Sequence, residues 1–144
     1  MIVRPMEPLD TYRIRLRADG PPGWRSSGPA LIKAGPAWAA VDSGTILALA
    51  GLVLHWQGRA GAWCMIGADL PTRAWPALTA HVRRRLGEAR RELRLRRVEA
   101  EALAGWAPGA RWLELLGFRP EGTMPAYGHD GADYDRWSLL AREN

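Results

Sequence analysis

Two glutamates, Glu99 and Glu101, stand two residues apart in a segment where apolar and charged residues alternate. Because successive side chains of a β-strand point to opposite faces, this spacing places both carboxylates on one face. Paired carboxylates suit general acid or base chemistry when burial raises a pKa toward neutrality. The alternative is a pair of solvated strand residues beside Arg97, and the sequence favours that alternative.

His129 is a further candidate base, although Gly-His-Asp-Gly is typical of a turn. The three histidines, His55, His81 and His129, share no metal-ligand spacing, and Cys64 is the only cysteine. Neither a zinc site nor an intrachain disulfide is therefore predicted. The sequence also contains no nucleophile elbow and no Walker-type phosphate loop. Metal, hydrolase and nucleotide-hydrolysis functions are not expected.

The chain is basic, with a net charge of +5 and a pI near 10.3, and Lys33 is its only lysine. This balance favours affinity for anions such as phosphates, nucleic acid or coenzyme A. The densest basic stretch covers residues 83–97, but Glu88 and Glu92 interrupt it. Interleaved charges favour a solvated helix face over a nucleic-acid surface. A nucleic-acid-associated domain is therefore the weakest of the functions considered.

Length and composition favour one globular domain, residues 1–144, because 47% of the residues are hydrophobic and 24% are charged. The longest strongly apolar run, residues 46–54, is far shorter than the roughly 20 residues that cross a bilayer. The N-terminus lacks a signal-peptide pattern. A soluble cytoplasmic protein without a membrane partner is expected, and the single cysteine fits a reducing compartment.

Runs of β-prone residues predict seven strands. Gly51 lies inside one of them, which indicates a bulge or a close backbone approach. Residues 57–61 are expected to connect the third and fourth strands, and residues 9–17 fit either a helix or a strand. The predicted strands are residues 1–6, 37–41, 45–56, 62–66, 95–102, 118–123 and 134–140.

A helical period follows the fourth strand, with the arginines 83, 84, 90 and 91 on the exposed faces. Thr72 is the expected N-cap, and the helix is expected to end before residue 94. A second helix, residues 108–116, is expected to stop at Gly117. The fold class is therefore α/β, a mixed sheet with flanking helices in which residues 62–66 and 95–102 are parallel neighbours. The apolar stripe of the long helix consists of Leu78, Val82, Leu86, Ala89 and Leu93.

This order of elements resembles that of the GCN5-related N-acetyltransferases. Residues 110–118, ARWLELLGF, are similar to the final helix of that family running into a Gly-Phe strand start. Residues 120–124, 127–131 and 133–134 resemble the phage and prophage branch, whose members often lie among virion genes. The resemblance implies transfer of an acetyl group from acetyl-CoA to a primary amine on a small molecule or protein. It also implies virion or phage proteins as possible partners.

In that family acetyl-CoA enters a V-shaped gap beside the strand that precedes the long helix. The resemblance therefore implies cofactor contacts at Cys64, Met65 and Ile66, and pyrophosphate contacts at the helix start. Residues 69–76 depart from the family's glycine-rich phosphate loop. Here Asp69 is expected to repel phosphate. The helix-start residues concerned are Thr72, Arg73, Ala74 and Trp75.

The family often places a tyrosine, the acid that protonates the leaving thiolate, where this chain has Leu113. A leucine cannot donate a proton, so Tyr127 and Tyr134 are candidates by loop proximity. Glu99 and Glu101 are the candidate bases. Two functions follow from the resemblance: an N-acetyltransferase acting by direct attack, or a degenerate protein of the same fold that serves as a structural or virion-associated binding module. Two loop tryptophans, at positions 24 and 75, are candidate interface residues.

Overall fold

The computed structural model describes residues 1–17 and 24–141, apart from the side chain at position 24. The strands are β1 Ile2–Pro5, β2 Ala37–Asp42, β3 Thr45–Trp56, β4 Arg59–Ile66, β5 Arg97–Leu103, β6 Arg119–Met124 and β7 Tyr134–Leu140. The helices are α1 Asp10–Arg13, α2 Gly28–Ala34, α3 Trp75–Glu92 and α4 Ala107–Leu115. Single 3-10 turns, Trp24–Ser27 and Thr72–Ala74, precede α2 and α3.

The strands pair in the order β1-β2-β3-β4-β5-β7-β6, which confirms the predicted mixed α/β sheet with flanking helices. The ladders β1–β2, β2–β3, β5–β7 and β6–β7 are antiparallel. β4 and β5 are parallel neighbours, as predicted, and their ladder pairs only residues 59–61 with residues 97–99. The paired residues thus precede the stretch 62–66 that the sequence pattern singled out.

The turn between β3 and β4 is shorter than predicted. Only Gln57 and Gly58 connect the strands, whereas residues 59–61, which were expected in the turn, begin β4. Gly58 has a φ of 94°, a left-handed conformation that glycine adopts without steric cost. A glycine in this conformation lets two residues reverse the chain.

Gly51 lies at a close backbone approach, which confirms one of the two alternatives. A Cβ there would meet the Pro36 carbonyl oxygen at 2.7 Å and the Trp63 ring at 2.9 Å. The register shift of the β2–β3 ladder lies between Ala40 and Val41 instead. The ladder pairs Ala40 with Ala48 and Val41 with Ile46, so the extra residue is Leu47. The expected bulge is therefore in the same strand but not at Gly51, which pairs regularly with residue 37.

The described chain divides into two compact units. The first unit contains Met1–Leu54 and Ala62–Arg85. Its described residues include two buried apolar clusters. The consecutive residues Ala39 and Ala40 belong to different clusters because strand neighbours point to opposite faces. One cluster comprises Met6, Ile14, Ala39, Ile46, Leu49 and Met65, and the other comprises Ala40, Leu47, Ala48, Leu70 and Leu78.

A buried carboxylate fixes the start of α1 in the first unit. Asp10 is fully buried and accepts hydrogen bonds from Arg4 at 2.7 and 3.0 Å and from the Glu7 amide at 2.7 Å. Burial alone would raise the pKa of Asp10, but the hydrogen bonds from Arg4 and Glu7 outweigh it and lower this pKa. Of the ambiguous residues 9–17, only Asp10–Arg13 form a helix, and Leu16 forms an isolated antiparallel bridge with Gly67.

The second unit contains His55–Gly61 and Leu86–Asn144. Its buried apolar residues come from α3, β5, β7 and the segments that precede β5 and follow α4. They include Leu86, Ala89, Leu95, Val98, Ala100, Leu116, Phe118 and Trp137. Gly117 follows α4 with a φ of 98°, so the predicted helix stop at this glycine is confirmed.

The apolar stripe of α3 is buried over most of its length. Leu78, Leu86 and Ala89 are buried, and Val82 is partly buried. Leu93 is 36% exposed, so its predicted burial is wrong. The reason is that α3 ends at residue 92, and the next residues turn away from the helical face.

Three of the four arginines expected on the outer faces of α3 are exposed, namely Arg83, Arg84 and Arg91. Arg90 is partly buried, which corrects the prediction for that residue. Its Nη2 donates a hydrogen bond to the Leu140 carbonyl oxygen at 3.1 Å. Arg90 therefore has a structural contact that Arg91 does not share.

Candidate active site

The predicted cofactor strand is the second half of β4. Met65 is 2% exposed and packs in the Met6 cluster, whereas Ile66 packs against the Ala40 cluster on the other face. Cys64 is partly buried, and desolvation raises the pKa of its thiol to about 12. This thiol is protonated at neutral pH, which makes it a poor nucleophile.

The loop after β4 is held by its own backbone. The Gly67 amide donates to the Leu47 carbonyl at 2.8 Å, and the Ala68 amide donates to the Arg15 carbonyl at 2.7 Å. The Leu70 amide donates back to Gly67 at 3.3 Å. These amides are therefore engaged within the protein.

Asp69 forms an ion pair that weakens its expected repulsion of phosphate. Arg15 Nη2 lies 2.5 Å from Asp69 Oδ1. The hydrogen bond from Arg15 lowers the pKa of Asp69. The carboxylate is charged at neutral pH, but Arg15 balances that charge locally.

The helix start offers fewer amides than predicted. The Ala74 and Trp75 amides donate within the turn, to the carbonyls of Pro71 at 2.9 Å and of Thr72. Thr72 and Arg73 occupy the first two positions of the turn, where an amide has no acceptor within the helix. Pro71 precedes the turn and no side chain caps it, so the predicted N-cap role of Thr72 is wrong.

The side chains of the helix start differ in exposure. Ala74 and Trp75 are partly buried and pack against the Ala40 cluster. Trp75 is the first residue of α3, so its prediction as a loop interface residue is wrong. Arg73 is exposed and makes no ion pair with a residue in the described ranges. The interface prediction for position 24 concerns a side chain outside the described part.

Glu99 lies in a cage of three arginines in the second unit. It is 4% exposed and accepts hydrogen bonds from Arg59 at 2.7 and 2.8 Å, from Arg97 at 2.7 Å and from Arg136 at 2.9 Å. The hydrogen bonds from Arg59, then those from Arg97 and the charges of Arg136 and Arg59, outweigh desolvation and lower the pKa of Glu99 to about 2. The predicted rise toward neutrality is wrong, and so is the alternative of a solvated side chain.

The arginine cage continues to two further glutamates. Arg97 binds both carboxylate oxygens of Glu121, and Arg136 donates to Glu101 at 3.2 Å. Glu101 is exposed, in contrast to Glu99. The three arginines and three glutamates balance in charge, so this face of the second unit is a neutral network.

Tyr127 and Tyr134 lie together in the second unit. Their ring centroids are 5.8 Å apart with an interplanar angle of 53°. Tyr127 is 51% exposed, so about half of the residue is accessible to solvent. His129 is exposed in the same loop, whereas Leu113 is partly buried and has no group that donates a proton.

Two of the three arginines that contact Glu99, Arg59 and Arg136, were not identified from the sequence. Arg59 was expected in a turn. In the structure β4 begins at Arg59, and this residue pairs with Arg97 in the parallel ladder. Arg136 is the direct cross-strand partner of Glu101, and that register became visible only in the folded sheet. The carboxylate spacing was a correct signal for a shared face, since Arg136 contacts both glutamates.

The described residues contain no cluster of three histidine, cysteine, aspartate or glutamate side chains that could hold a metal ion. Within the same ranges, no helix combines the length and the apolar character that crossing a membrane requires.

Solved structures share this fold over nearly the whole chain. A protein provisionally assigned as a phosphinothricin N-acetyltransferase has a TM-score of 0.77 at 15% identity, covering 99% of each chain. A point mutant of the Vibrio cholerae spermidine N-acetyltransferase has a TM-score of 0.70 at 14% identity, and the match covers 97% of this chain and 95% of that one. The ribosomal-protein-S5-alanine acetyltransferase of Vibrio fischeri has a TM-score of 0.72 at 16% identity, and the match covers 96% of this chain and 91% of that one.

No protein-family model and no curated protein matches the sequence. The structural neighbours are N-acetyltransferases, and the chain has their fold, the GCN5-related N-acetyltransferase fold.

Proposed function

We propose that the protein transfers an acetyl group from acetyl-CoA to a primary amine. The observation that carries this proposal is the short parallel ladder of β4 and β5 in a fold shared with N-acetyltransferases. No residue of 62–66 enters that parallel ladder among the described residues. Backbone groups along this edge of β4 are therefore available to an extended ligand.

The first unit has groups that fit coenzyme A. The amides of Thr72 and Arg73, the positive end of the α3 dipole and the Arg73 guanidinium all favour a phosphate. Asp69 does not oppose this site strongly because Arg15 neutralises it. We assign the pantetheine arm to the strand backbone at Cys64, Met65 and Ile66. When bound, acetyl-CoA supplies an acyl group activated as a thioester.

The chain's own residues favour direct attack by the amine. Cys64 is protonated at neutral pH, so it is unsuited to form an acetyl-enzyme intermediate. Glu99 holds its proton too weakly to act as a base, and we assign it the role of positioning Arg136. Glu101 is the remaining carboxylate of the pair that solvent reaches, and we propose it as the base that accepts the amine proton. We propose Tyr127 as the acid for the leaving thiolate.

Titration calorimetry with acetyl-CoA tests the proposal. The unmodified protein is expected to bind saturably at one site. Arg73→Glu should weaken binding about tenfold or more, because it removes a charge-assisted contact and adds repulsion. Arg91→Glu is the matched control, since Arg91 is an exposed arginine at the other end of α3. Equal losses in both variants would indicate diffuse basic charge and contradict the site.

The rival function is a binding module of the same fold without catalysis, including a virion-associated one. Three features favour this rival. Leu113 cannot donate a proton, the helix start offers a phosphate only the amides of Thr72 and Arg73, and the pKa of Glu99 is low. Thiol release from acetyl-CoA with polyamine and peptide amine acceptors separates the two functions. Acetyltransferase activity should fall in Glu101→Gln and Tyr127→Phe. Absence of coenzyme binding by the unmodified protein would favour the rival.

A further inference from the structure

A groove of about 370 Å³ lies in the second unit, outside the proposed acetyl-transfer residues. It is lined by Gln57, Gly58, Arg94 and Arg96. The first two residues form the β3–β4 turn, and the two arginines belong to the connection between α3 and β5. The groove thus follows the C-terminal end of α3, whereas the proposed cofactor residues precede its N-terminal end.

The backbone fastens the two walls of the groove together. The Gly58 carbonyl accepts hydrogen bonds from the amides of Arg96 at 2.8 Å and Arg97 at 3.1 Å. A Cβ on Gly58 would lie 3.0 Å from Arg96 Nε, so the absence of a side chain makes room for that guanidinium. The Arg96 side chain is therefore held beside the turn.

Arg94 occupies a position that normally belongs to glycine. The Leu95 amide donates to the Arg90 carbonyl at 3.0 Å, and the Arg94 amide donates to Arg91 at 3.3 Å. These two bonds form a Schellman motif, in which the residue after the helix is left-handed and usually glycine. Arg94 has a φ of 52°. An arginine kept in this unfavourable conformation points to a use for its side chain.

The charge of the groove is not balanced by carboxylates. Arg59, Arg97 and Arg136 of the same unit all pair with glutamates. Arg94 and Arg96, in contrast, form no ion pair with any residue of the described ranges. Two arginines and Gln57 therefore line a concave surface without an acidic partner among the described residues.

We propose that this groove binds the phosphate group of a small molecule. Guanidinium groups bind phosphate through paired N–H donors, and the Gln57 side chain supplies a neutral donor. The volume lies near the lower end of small-molecule sites, which are roughly 300 to 1,000 Å³. A small phosphate monoester matches that size, whereas free phosphate would fill only part of the groove. The site is independent of acetyl-CoA binding.

The test is a titration of the full chain with inorganic phosphate in low-chloride buffer, followed by amide and guanidinium NMR shifts. Saturable shifts are expected at Gln57, Gly58, Arg94 and Arg96. Arg94→Gly retains the left-handed backbone, and Arg96→Gln retains a polar side chain. Each variant is expected to weaken phosphate binding about tenfold, because it loses one charge-assisted interaction.

Two control variants separate this groove from other basic surfaces. Arg91→Gln should change phosphate affinity less than about twofold, because one screened surface charge contributes little. Arg73→Gln should leave phosphate binding to the groove unchanged even where it weakens coenzyme A. Thermal midpoints no lower than that of the unmodified protein establish that the variants are folded. A nucleoside monophosphate that binds more tightly than inorganic phosphate would identify an organic ligand, and equal affinity would identify free phosphate.

Three outcomes would overturn the proposal. One is equal weakening by Arg91→Gln and Arg96→Gln, which would mean diffuse charge. Another is a titration that fails to saturate by roughly 50 mM phosphate, far weaker than specific anion sites. The third is preferential binding of single-stranded RNA with losses spread over all the exposed arginines of α3, which would identify a polymer surface instead.

Discussion

Replacing Glu99 by glutamine should destabilise the second unit strongly at neutral pH. The variant keeps the shape of the side chain but removes the charge that four guanidinium hydrogen bonds contact. The NH2 group of the glutamine amide would also face the N–H groups of Arg59, Arg97 or Arg136, which are donors themselves and cannot accept a hydrogen bond. Breaking a buried ion pair from one side leaves uncompensated charge, which typically costs about 3 to 5 kcal/mol.

The pKa of Glu99 gives a second measure of the same interaction. It falls from an ordinary value of 4.5 to about 2 in the folded protein. At about 1.4 kcal/mol per pKa unit, the charged form contributes on the order of 3 kcal/mol to the free energy of unfolding. Because the folded-state pKa is lowered, this contribution is present above pH 4.5 and is lost as the pH falls toward 2.

Urea unfolding from pH 7 down to pH 2 measures both effects. The free energies of the unmodified protein and Glu99→Gln are expected to differ by about 3 kcal/mol at pH 7 and to converge only as the pH approaches 2. Glu101→Gln is the matched control on the same strand face, and its exposed pair should contribute less than about 1 kcal/mol. The reasoning fails if Glu99→Gln costs no more than Glu101→Gln, or if its cost does not change with pH.

Three further stability changes follow from the structure. Leu86→Ala should lower the free energy of unfolding by about 2 to 5 kcal/mol, as for other buried leucines, and an unchanged thermal midpoint would contradict the burial of that face. Arg94→Gly should raise thermal stability by up to about 1 kcal/mol, because glycine relieves the left-handed strain, and a loss of stability would show that the arginine side chain supports the fold. Gly58→Ala should destabilise by about 1 to 2 kcal/mol in urea unfolding through its positive φ and its proximity to Arg96, and a neutral result would show that the turn relaxes.

The element order was readable from the sequence because it depends on local periodicity. β3 Thr45–Trp56 and β7 Tyr134–Leu140 match their predicted bounds, and α3 begins and ends close to where the apolar period indicated. The alternation of apolar residues in a strand and their three-to-four residue repeat in a helix each reflect burial of one face. Both patterns can be seen within a short stretch of sequence. The same local logic also detected the close approach at Gly51.

The start of β4 and the end of α3 were less predictable. Residues 59–61 have the small and polar character of a turn, yet they form the parallel ladder with β5. Leu93 continues the apolar period of α3, but the helix ends one residue earlier in a Schellman motif. In both cases tertiary pairing decides between local conformations of similar free energy.

The sequence by itself determined that Glu99 and Glu101 share a strand face, that Leu113 has no group that can donate a proton, and that one cysteine is present. Only the tertiary structure decided the ionisation of Glu99, because Arg59 and Arg136 are 40 and 37 residues away along the chain. The same holds for Asp69, whose partner Arg15 is 54 residues away. A pKa depends on charges within a few ångströms and on burial, and here only Arg97 among the partners of Glu99 is close to it in the sequence.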